Sequence, residues 1–296
     1  MNYKFEVTSD ETYKNFVQIK EQNGLFIHKF KRKVFYDNLW DNHPQLIEAR
    51  GLITDVQDNI IQYPFTKIFN RNENGIDISK AHVVLAVEKI NGFMAAVTWN
   101  NGEILVSTTG SVNSDFVEMA KEMLPLDKMV DGLKTFSSHT FCFEIVHPND
   151  PHIIEEKVGA YLIGARQKKQ GSEQWKQLSL DKQAKEWGVK RPVWFCDLFH
   201  NILLDLKDYK REGYVIYDTE SDTVLKLKSP FYLTFKFIAR TKRLELIFDK
   251  CYKQHFDEEY YTLCEFLQKT YTKDNFLEIE EQDRLKIVRN WAEGII

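Results

Sequence analysis

The chain has 296 residues, 43% of them hydrophobic and 14% aromatic, with a formal net charge of −4. That is enough to bury one large core, or a main domain plus a small one. The near-neutral charge excludes a partner held by the field of the whole molecule, so a nucleic acid would need a local basic surface. No run reaches the eighteen or so apolar residues of a membrane span, and residues 1–6 lack the basic-then-apolar order of a secretion signal. An intracellular, cytoplasmic protein is expected. Cys142, Cys196, Cys251 and Cys264 are far apart and form no Cys-x-x-Cys pair, which argues for reduced, mostly buried thiols and against a disulfide framework or zinc site.

A short strand is expected over residues 3–7. A helix capped by Ser9 or Asp10 should then run to about Gln22, with Tyr13, Phe16, Val17 and Lys20 at helical spacing and Gly24 just past its end. From His28 to Tyr36 cations alternate with aromatics, which on a strand would set Lys29, Lys31 and Lys33 on one side of a sheet. A solvated face is the commoner meaning of such a pattern and a phosphate-facing strand the sharper one. Arg50-Gly51 opens another strand, Tyr63 to Asn70 follows it, and Asn72 to Gly75 marks a loop.

Two apolar runs, Val83 to Val87 and Phe93 to Trp99, are then joined by Glu88-Lys89-Ile90-Asn91-Gly92. Asn91-Gly92 between such runs signals a type I′ hairpin carrying a solvated lysine. The other reading puts Lys89 at the end of a buried strand, with a glycine three residues on that lets a ligand approach the backbone. The Lys-x-x-Gly spacing alone decides nothing, since it recurs at Lys168/Gly171, Lys185/Gly188 and Lys210/Gly213.

Glu103 to Ser107 reads as a strand, Thr108 to Ser111 as a turn, and Ser114 or Asp115 as the cap of a helix closed by Pro125, with Phe116, Met119, Ala120 and Met123 on its apolar side. Thr140 to Val146 is a buried strand interrupted by Glu144, a carboxylate that costs several kcal/mol there unless it is paired or faces a ligand. Ala160 to Arg166 is another strand, and a polar stretch turns helical near Leu178. Arg211 to Tyr217 and Val224 to Lys228 form an antiparallel pair. Lys226 and Lys228 share a face, although paired lysines on an edge strand more often guard against aggregation. From Phe231 onward the apolar spacing is helical, indicating a small α-helical appendage.

In order, Lys89-x-x-Gly92, Phe143-Glu144, Glu212-Gly213 and Lys226-x-Lys228, each on a strand or strand edge, resemble the motifs of the covalent nucleotidyltransferases, the superfamily of ATP-dependent ligases and capping enzymes. Upstream, Tyr36, Arg50-Gly51 and Pro64-Phe65-Thr66-Lys67-Ile68-Phe69-Asn70 look like the N-terminal motifs of the RNA ligase 1 family, typified by the tRNA-repair ligase of T-even phages. The resemblance covers roughly residues 30–230. Ile90 and Asn91 depart from that best-known example, which has acidic residues there, and the helical tail is shorter.

The resemblance implies an α+β fold of antiparallel sheets flanked by helices, with an adenylyltransferase domain over residues 1–230 and a small all-α domain over 231–296. It implies an ATP-dependent RNA ligase that uses Mg²⁺ or Mn²⁺ and joins RNA 5′-phosphate and 3′-hydroxyl ends, as in a cleaved tRNA, through lysyl-AMP and RNA-adenylate, acting as a monomer. Lys89 would be the nucleophile, Glu144 would bind the ribose, Glu212 would hold the metal, and Lys226 and Lys228 would grip the AMP phosphate. Tyr36, Arg50 and Lys67 would orient the β- and γ-phosphates, with Glu88 and Gly92 completing the nucleotide site. An ordinary lysine, with a pKa of about 10.4, is almost wholly protonated at pH 7, so the nucleophile would need nearby cations, the metal and partial burial to lower it. RNA would lie across Lys29, Lys31 and Lys33 and, at the head of the tail, Lys236, Arg240, Lys242 and Arg243, with strong salt dependence. DNA ligases and capping guanylyltransferases share the core motifs but usually append an OB-type barrel. A non-catalytic RNA-binding relative should have lost the nucleophile or one of the paired lysines.

Overall fold

A computed structural model describes residues 3–6, 10–152, 154–240 and 243–294, with backbone alone for 238–240. The first elements are α1 (Glu11–Phe16), β1 (Val17–Gln22), β2 (Leu25–Phe30), α2 (Lys33–Tyr36), β3 (Arg50–Thr54), β4 (Ile60–Gln62) and β5 (Phe69–Asn70). Next come β6 (Val83–Glu88), β7 (Phe93–Asn100), β8 (Glu103–Thr108), α3 (Asp115–Met123), α4 (Leu126–Thr135), β9 (His139–Val146), β10 (Gly159–Gln167) and α5 (Gln177–Trp187). They are followed by β11 (Trp194–Leu198), α6 (Phe199–Leu206), β12 (Gly213–Asp218), β13 (Val224–Lys228), α7 (Pro230–Arg240), α8 (Tyr261–Thr270), α9 (Lys273–Glu278) and α10 (Glu281–Gly294). Short 3-10 turns link α7 to α8. Among the described residues no helix is long and apolar enough to cross a membrane.

Contacts divide the chain into two units, Met1–Lys67 with Ile90–Pro192 and Ile68–Lys89 with Val193–Ile296. The first has two antiparallel sheets, ordered β1-β2-β3-β4 and β10-β9-β7-β8. Inward-facing Val97, Phe141, Phe143 and Leu162 of the second sheet pack on Val117 of α3, Leu133 of α4 and Trp187 of α5. The other unit has one sheet, β11-β6-β12-β13-β5, antiparallel except for the β13–β5 pair. One of its faces is covered by Phe199, Ile202, Leu203 and Leu206 of α6, an i, i+3, i+4, i+7 stripe. The helical tail builds a separate core around Leu233, Phe237, Leu263, Leu267, Phe276 and Val288. Mixed antiparallel sheets and helices with a helical C-terminal region match the expected fold class. The sequence reading missed α4, β11 and α6.

Local expectations failed where turn chemistry or packing won. Over its described part the strand expected at residues 3–7 is a single bridge from Lys4 to Asn59; Val7 and Ser9 lie outside the described residues. Asp10 does cap α1, accepting from Thr12 N–H at 2.8 Å, but the helix stops at Phe16 and residues 17–22 are a strand. Asn23 (φ 55°) and Gly24 (φ 73°) supply the two positive φ values of a two-residue hairpin turn, so Gly24 closes a hairpin and does not end a helix. The alternation from His28 to Tyr36 breaks after Phe30, because Phe30, Phe35 and Trp40 close into a triangle of edge-to-face rings and the chain turns into α2. Lys29 stays exposed on β2, Lys31 donates to the Asn15 carbonyl at 2.9 Å, and Lys33 pairs with Asp37. His28 is buried between the Tyr13 hydroxyl at 3.1 Å and Thr54 Oγ1 at 3.0 Å, and burial pushes it down to about 4.

β6 and β7 make no hairpin at all. They belong to different sheets, and Asn91 and Gly92 lack positive φ values. Of the thiols, Cys142 and Cys264 are buried, but Cys196 and Cys251 are exposed.

Candidate active site

In the five-stranded sheet, Tyr214 of β12 faces Glu88 of β6, and Gly213 faces Lys228 of β13. One residue beyond β6 the ladder continues, with Lys89 N–H donating to the Gly213 carbonyl at 2.9 Å. Lys89, Gly213 and Lys228 therefore form a row across three strands, and a strand spacing of about 4.8 Å puts the two lysine backbones roughly 10 Å apart. Because side chains alternate, Lys89, Lys226 and Lys228 share the face opposite core residues Ala86, Ile216, Leu225 and Leu227.

Gly213 makes this arrangement possible. Its φ is +138°, and a Cβ would lie 2.0 Å from the Leu227 carbonyl oxygen, so no other residue fits without moving backbone. The break in alternation at this glycine lets the neighbouring buried Glu212 meet Lys89, with Oε1 3.1 Å from Nζ. The Lys89 side chain is 23% exposed, a recessed amine and not one in bulk solvent.

Lys228 pairs with Glu259, which lies in the 3-10 turn Glu258–Tyr260 of the helical tail. The same carboxylate takes Lys236 of α7, whose Nζ also lies 2.9 Å from Asp257. Burial above all, then the charges of Lys236 and Lys226, hold Lys228 well below the usual lysine range, with Glu212 acting in the opposite direction. Lys236 was expected on an RNA-facing surface; it is buried in this cluster instead. Of the other expected tail cations, Arg243 pairs in solvent with Glu245 at 2.9 Å, while Lys242 and the Arg240 side chain lie outside the described residues. Glu259 was not foreseen, and Asp257-Glu258-Glu259 reads in sequence as an ordinary solvated acidic run.

Glu88, expected to contact nucleotide, falls on the face opposite Lys89. It accepts from the Tyr209 hydroxyl at 2.8 Å and from Arg211 at 3.1 Å, bracing the segment that leads into Glu212.

The remaining candidates belong to the other unit. The Gly92 N–H donates to Glu144 Oε1 at 3.2 Å, which answers the anomaly of a carboxylate on central strand β9. A Cβ at Gly92 would lie 2.3 Å from the Ile145 carbonyl oxygen, so a neighbouring strand's backbone approaches this glycine closely. Ile90 packs with Val146 and Tyr161, and Asn91 Oδ1 accepts from Ile154 N–H at 3.3 Å. Arg50 opens β3, and the next residue, Gly51 (φ +83°), would set a Cβ 2.9 Å from Thr109 Cα. Lys67 is buried with its ammonium 4.9 Å from the Phe35 ring centre and 5.8 Å from that of Trp40. Tyr36 ends α2, half-buried.

Among the described residues no group of three or more His, Cys, Asp or Glu side chains could hold a metal. A protein-only cage is therefore not the fitting arrangement. A single carboxylate such as Glu212 fits an Mg²⁺-type ion, which usually takes one or two carboxylates and completes its shell with water and substrate phosphates.

Comparison with solved structures places this fold among ligases. Two archaeal ATP-dependent RNA ligase structures superpose with TM-scores of 0.61 and 0.60 at 17% and 15% identity, covering 96% and 94% of this chain and 73% and 72% of theirs. A putative ATP-dependent DNA ligase from Aquifex aeolicus gives 0.55 at 15% identity, covering 97% of this chain and 76% of its own. No curated protein sequence matches. The sequence profile of the family described as RNA ligase matches residues 48–241, a span that begins two residues before Arg50 and runs past Lys228. A match of that extent is more than a shared motif: the chain belongs to the RNA ligase family and is an enzyme that joins RNA.

Proposed function

We propose that this RNA ligase works on ATP through a lysyl-AMP intermediate carried by Lys89. The observation behind this reading is the row Lys89, Gly213, Lys228, which sets a recessed amine beside the Glu212 carboxylate and on the same face as two further lysines. The Lys89 nitrogen attacks the α-phosphorus of ATP. A P–N bond forms, the bridging P–O bond to the β-phosphate breaks, pyrophosphate leaves, and the amine gives up its protons to solvent as needed for the phosphoramidate. An RNA 5′-phosphate oxygen then takes the AMP, breaking the P–N bond and returning a proton to Lys89. A 3′-hydroxyl finally attacks the 5′-phosphorus, closing the phosphodiester and releasing AMP. Covalent catalysis of this kind divides one difficult displacement into easier ones.

Lys226 and Lys228 supply positive charge where phosphate oxygens gain negative charge in the transition state. Attack requires a free amine, so the ion pair with Glu212 has to open as the proton leaves. A divalent cation, Mg²⁺ or Mn²⁺, held by Glu212 and the nucleotide phosphates would offset charge on the departing pyrophosphate. Glu144 takes the ribose hydroxyls, while Tyr36, Arg50 and Lys67 orient the β- and γ-phosphates. Glu88 acts at one remove, through Tyr209 and Arg211. In this reading residues 1–230 form the adenylyltransferase domain, residues 231–296 form a helical accessory, and the substrate is RNA with 5′-phosphate and 3′-hydroxyl ends, such as a cleaved tRNA in the cytoplasm.

ATP labelled at its α-phosphate, with Mg²⁺, should mark the wild-type chain and leave Lys89→Ala unmarked, while labelled GTP should mark neither. Label retained on Lys89→Ala would overturn the assignment.

A further inference from the structure

A second site is built into the first unit, where β9 begins, β10 ends and α5 starts. A hollow of about 810 Å³ there is lined by aromatic, amide and lysine side chains that the chemistry above does not use. It opens beside His139, five residues before Glu144 on the same strand, or about 17 Å at the usual strand rise.

One wall is Trp175, whose ring meets Phe136 at 5.0 Å and His139 at 5.4 Å between centres, both edge-on. Held by its neighbours, that indole is a fixed surface. Facing the same space is the amide of Gln183 on α5. It is 5% exposed and its Nε2 is buried without a hydrogen-bond partner. A buried orphan of this kind costs on the order of 1–3 kcal/mol. Folding alone gains nothing from it, whereas a ligand edge that accepts a hydrogen bond would relieve it. Lys176 and Lys182 border the hollow, opposed by Glu186 on the helix.

We propose that this hollow holds an unpaired base of the RNA substrate, its polar edge bonded by Gln183 and an adjoining phosphate met by Lys176 or Lys182. Aromatic walls and amide edges are how proteins take splayed-out bases of single-stranded RNA, and lysines at the rim hold the backbone. The inference rests on RNA as the substrate and not on the lysyl-AMP step, so the two fail separately.

The test is the affinity of the full chain for a single-stranded 5′-phosphorylated oligoribonucleotide of about 12 nucleotides, read by fluorescence anisotropy. Gln183→Met should weaken binding about five- to tenfold and, by removing an orphaned donor, raise the melting temperature of the free protein. Lys182→Glu, at an exposed position, should weaken binding about threefold or more and flatten its salt dependence. An oligomer with abasic positions should bind the parent less tightly and show no further loss with Gln183→Met. Labelling by ATP should be unchanged in both variants. Binding within twofold of the parent for both variants, or equal affinity for intact and abasic oligomers, would overturn the proposal.

Discussion

Two sets of lysines in this chain make opposite points about charge. Lys29, Lys31 and Lys33 are close in sequence, yet the structure disperses them: one lies on a strand, one is bonded to a loop carbonyl and one is paired within a short helix. Lys89 lies more than a hundred residues before Lys226 and Lys228, yet strand register gathers all three on one sheet face with Glu212. Spacing along the chain predicts a shared face only while the backbone keeps one period. Packing of Phe30, Phe35 and Trp40 ended that period in the first set, and in the second hydrogen-bonded ladders extended it across three strands.

The contrast can be broken most directly at its strongest point. Lys89→Ala should reduce enzyme labelling by ATP by on the order of 10³-fold or more, and Lys89→Arg should not restore it; a labelled variant would reduce the sheet-edge cluster to a structural ion pair. Next in size is the acid that couples the tail to that edge. Glu259→Gln leaves Lys228 and Lys236 buried without their shared carboxylate, and loss of one partner from a buried pair costs about 3–5 kcal/mol. Urea unfolding should register this, and a loss below about 1 kcal/mol would mean that Asp257 or solvent takes over.

His28 sharpens the other half of the comparison, since it sits in the basic segment yet serves the core. Its folded pKa of about 4 lies below the ordinary 6.5, so the unfolded chain binds the proton first as pH falls. Its contribution is complete above about pH 6.5 and is lost between there and about pH 4, by roughly 3 kcal/mol. Stability measured across that window should fall less steeply in His28→Gln than in the parent. The smallest effect is expected at Lys33. Its pair with Asp37 is largely exposed, so Lys33→Ala should change stability by no more than about 0.5 kcal/mol. A loss of RNA affinity greater than about threefold in the same variant would restore the phosphate-facing role that the strand pattern first implied.

Much of the architecture was legible because its signals were periodic. β9, β10 and the β12–β13 pair, the helical tail and the shared face of Lys226 and Lys228 follow from apolar runs, turn residues and alternation. The misplaced elements have specific causes. Asn23-Gly24 worked as a hairpin turn where a helix end was expected, and Asn91-Gly92, the stronger hairpin signal on paper, was overridden because β6 and β7 each pair with other strands. Gly92 is needed for packing against Ile145, a requirement that the Lys-x-x-Gly spacing cannot express.

By itself the sequence determined which residues are chemically unusual: a lysine at a strand end, carboxylates at strands and their edges, and two lysines two apart. Those are consequences of local period and residue type. The tertiary structure alone decided which of them meet. Gly213, with its positive φ and its close approach to Leu227, must open β12 where the neighbouring Glu212 reaches Lys89, and Glu259 must arrive from the helical tail to hold Lys228. Such partners are fixed by hydrogen-bond register and by the burial of charge, and both act between residues that the linear order keeps apart.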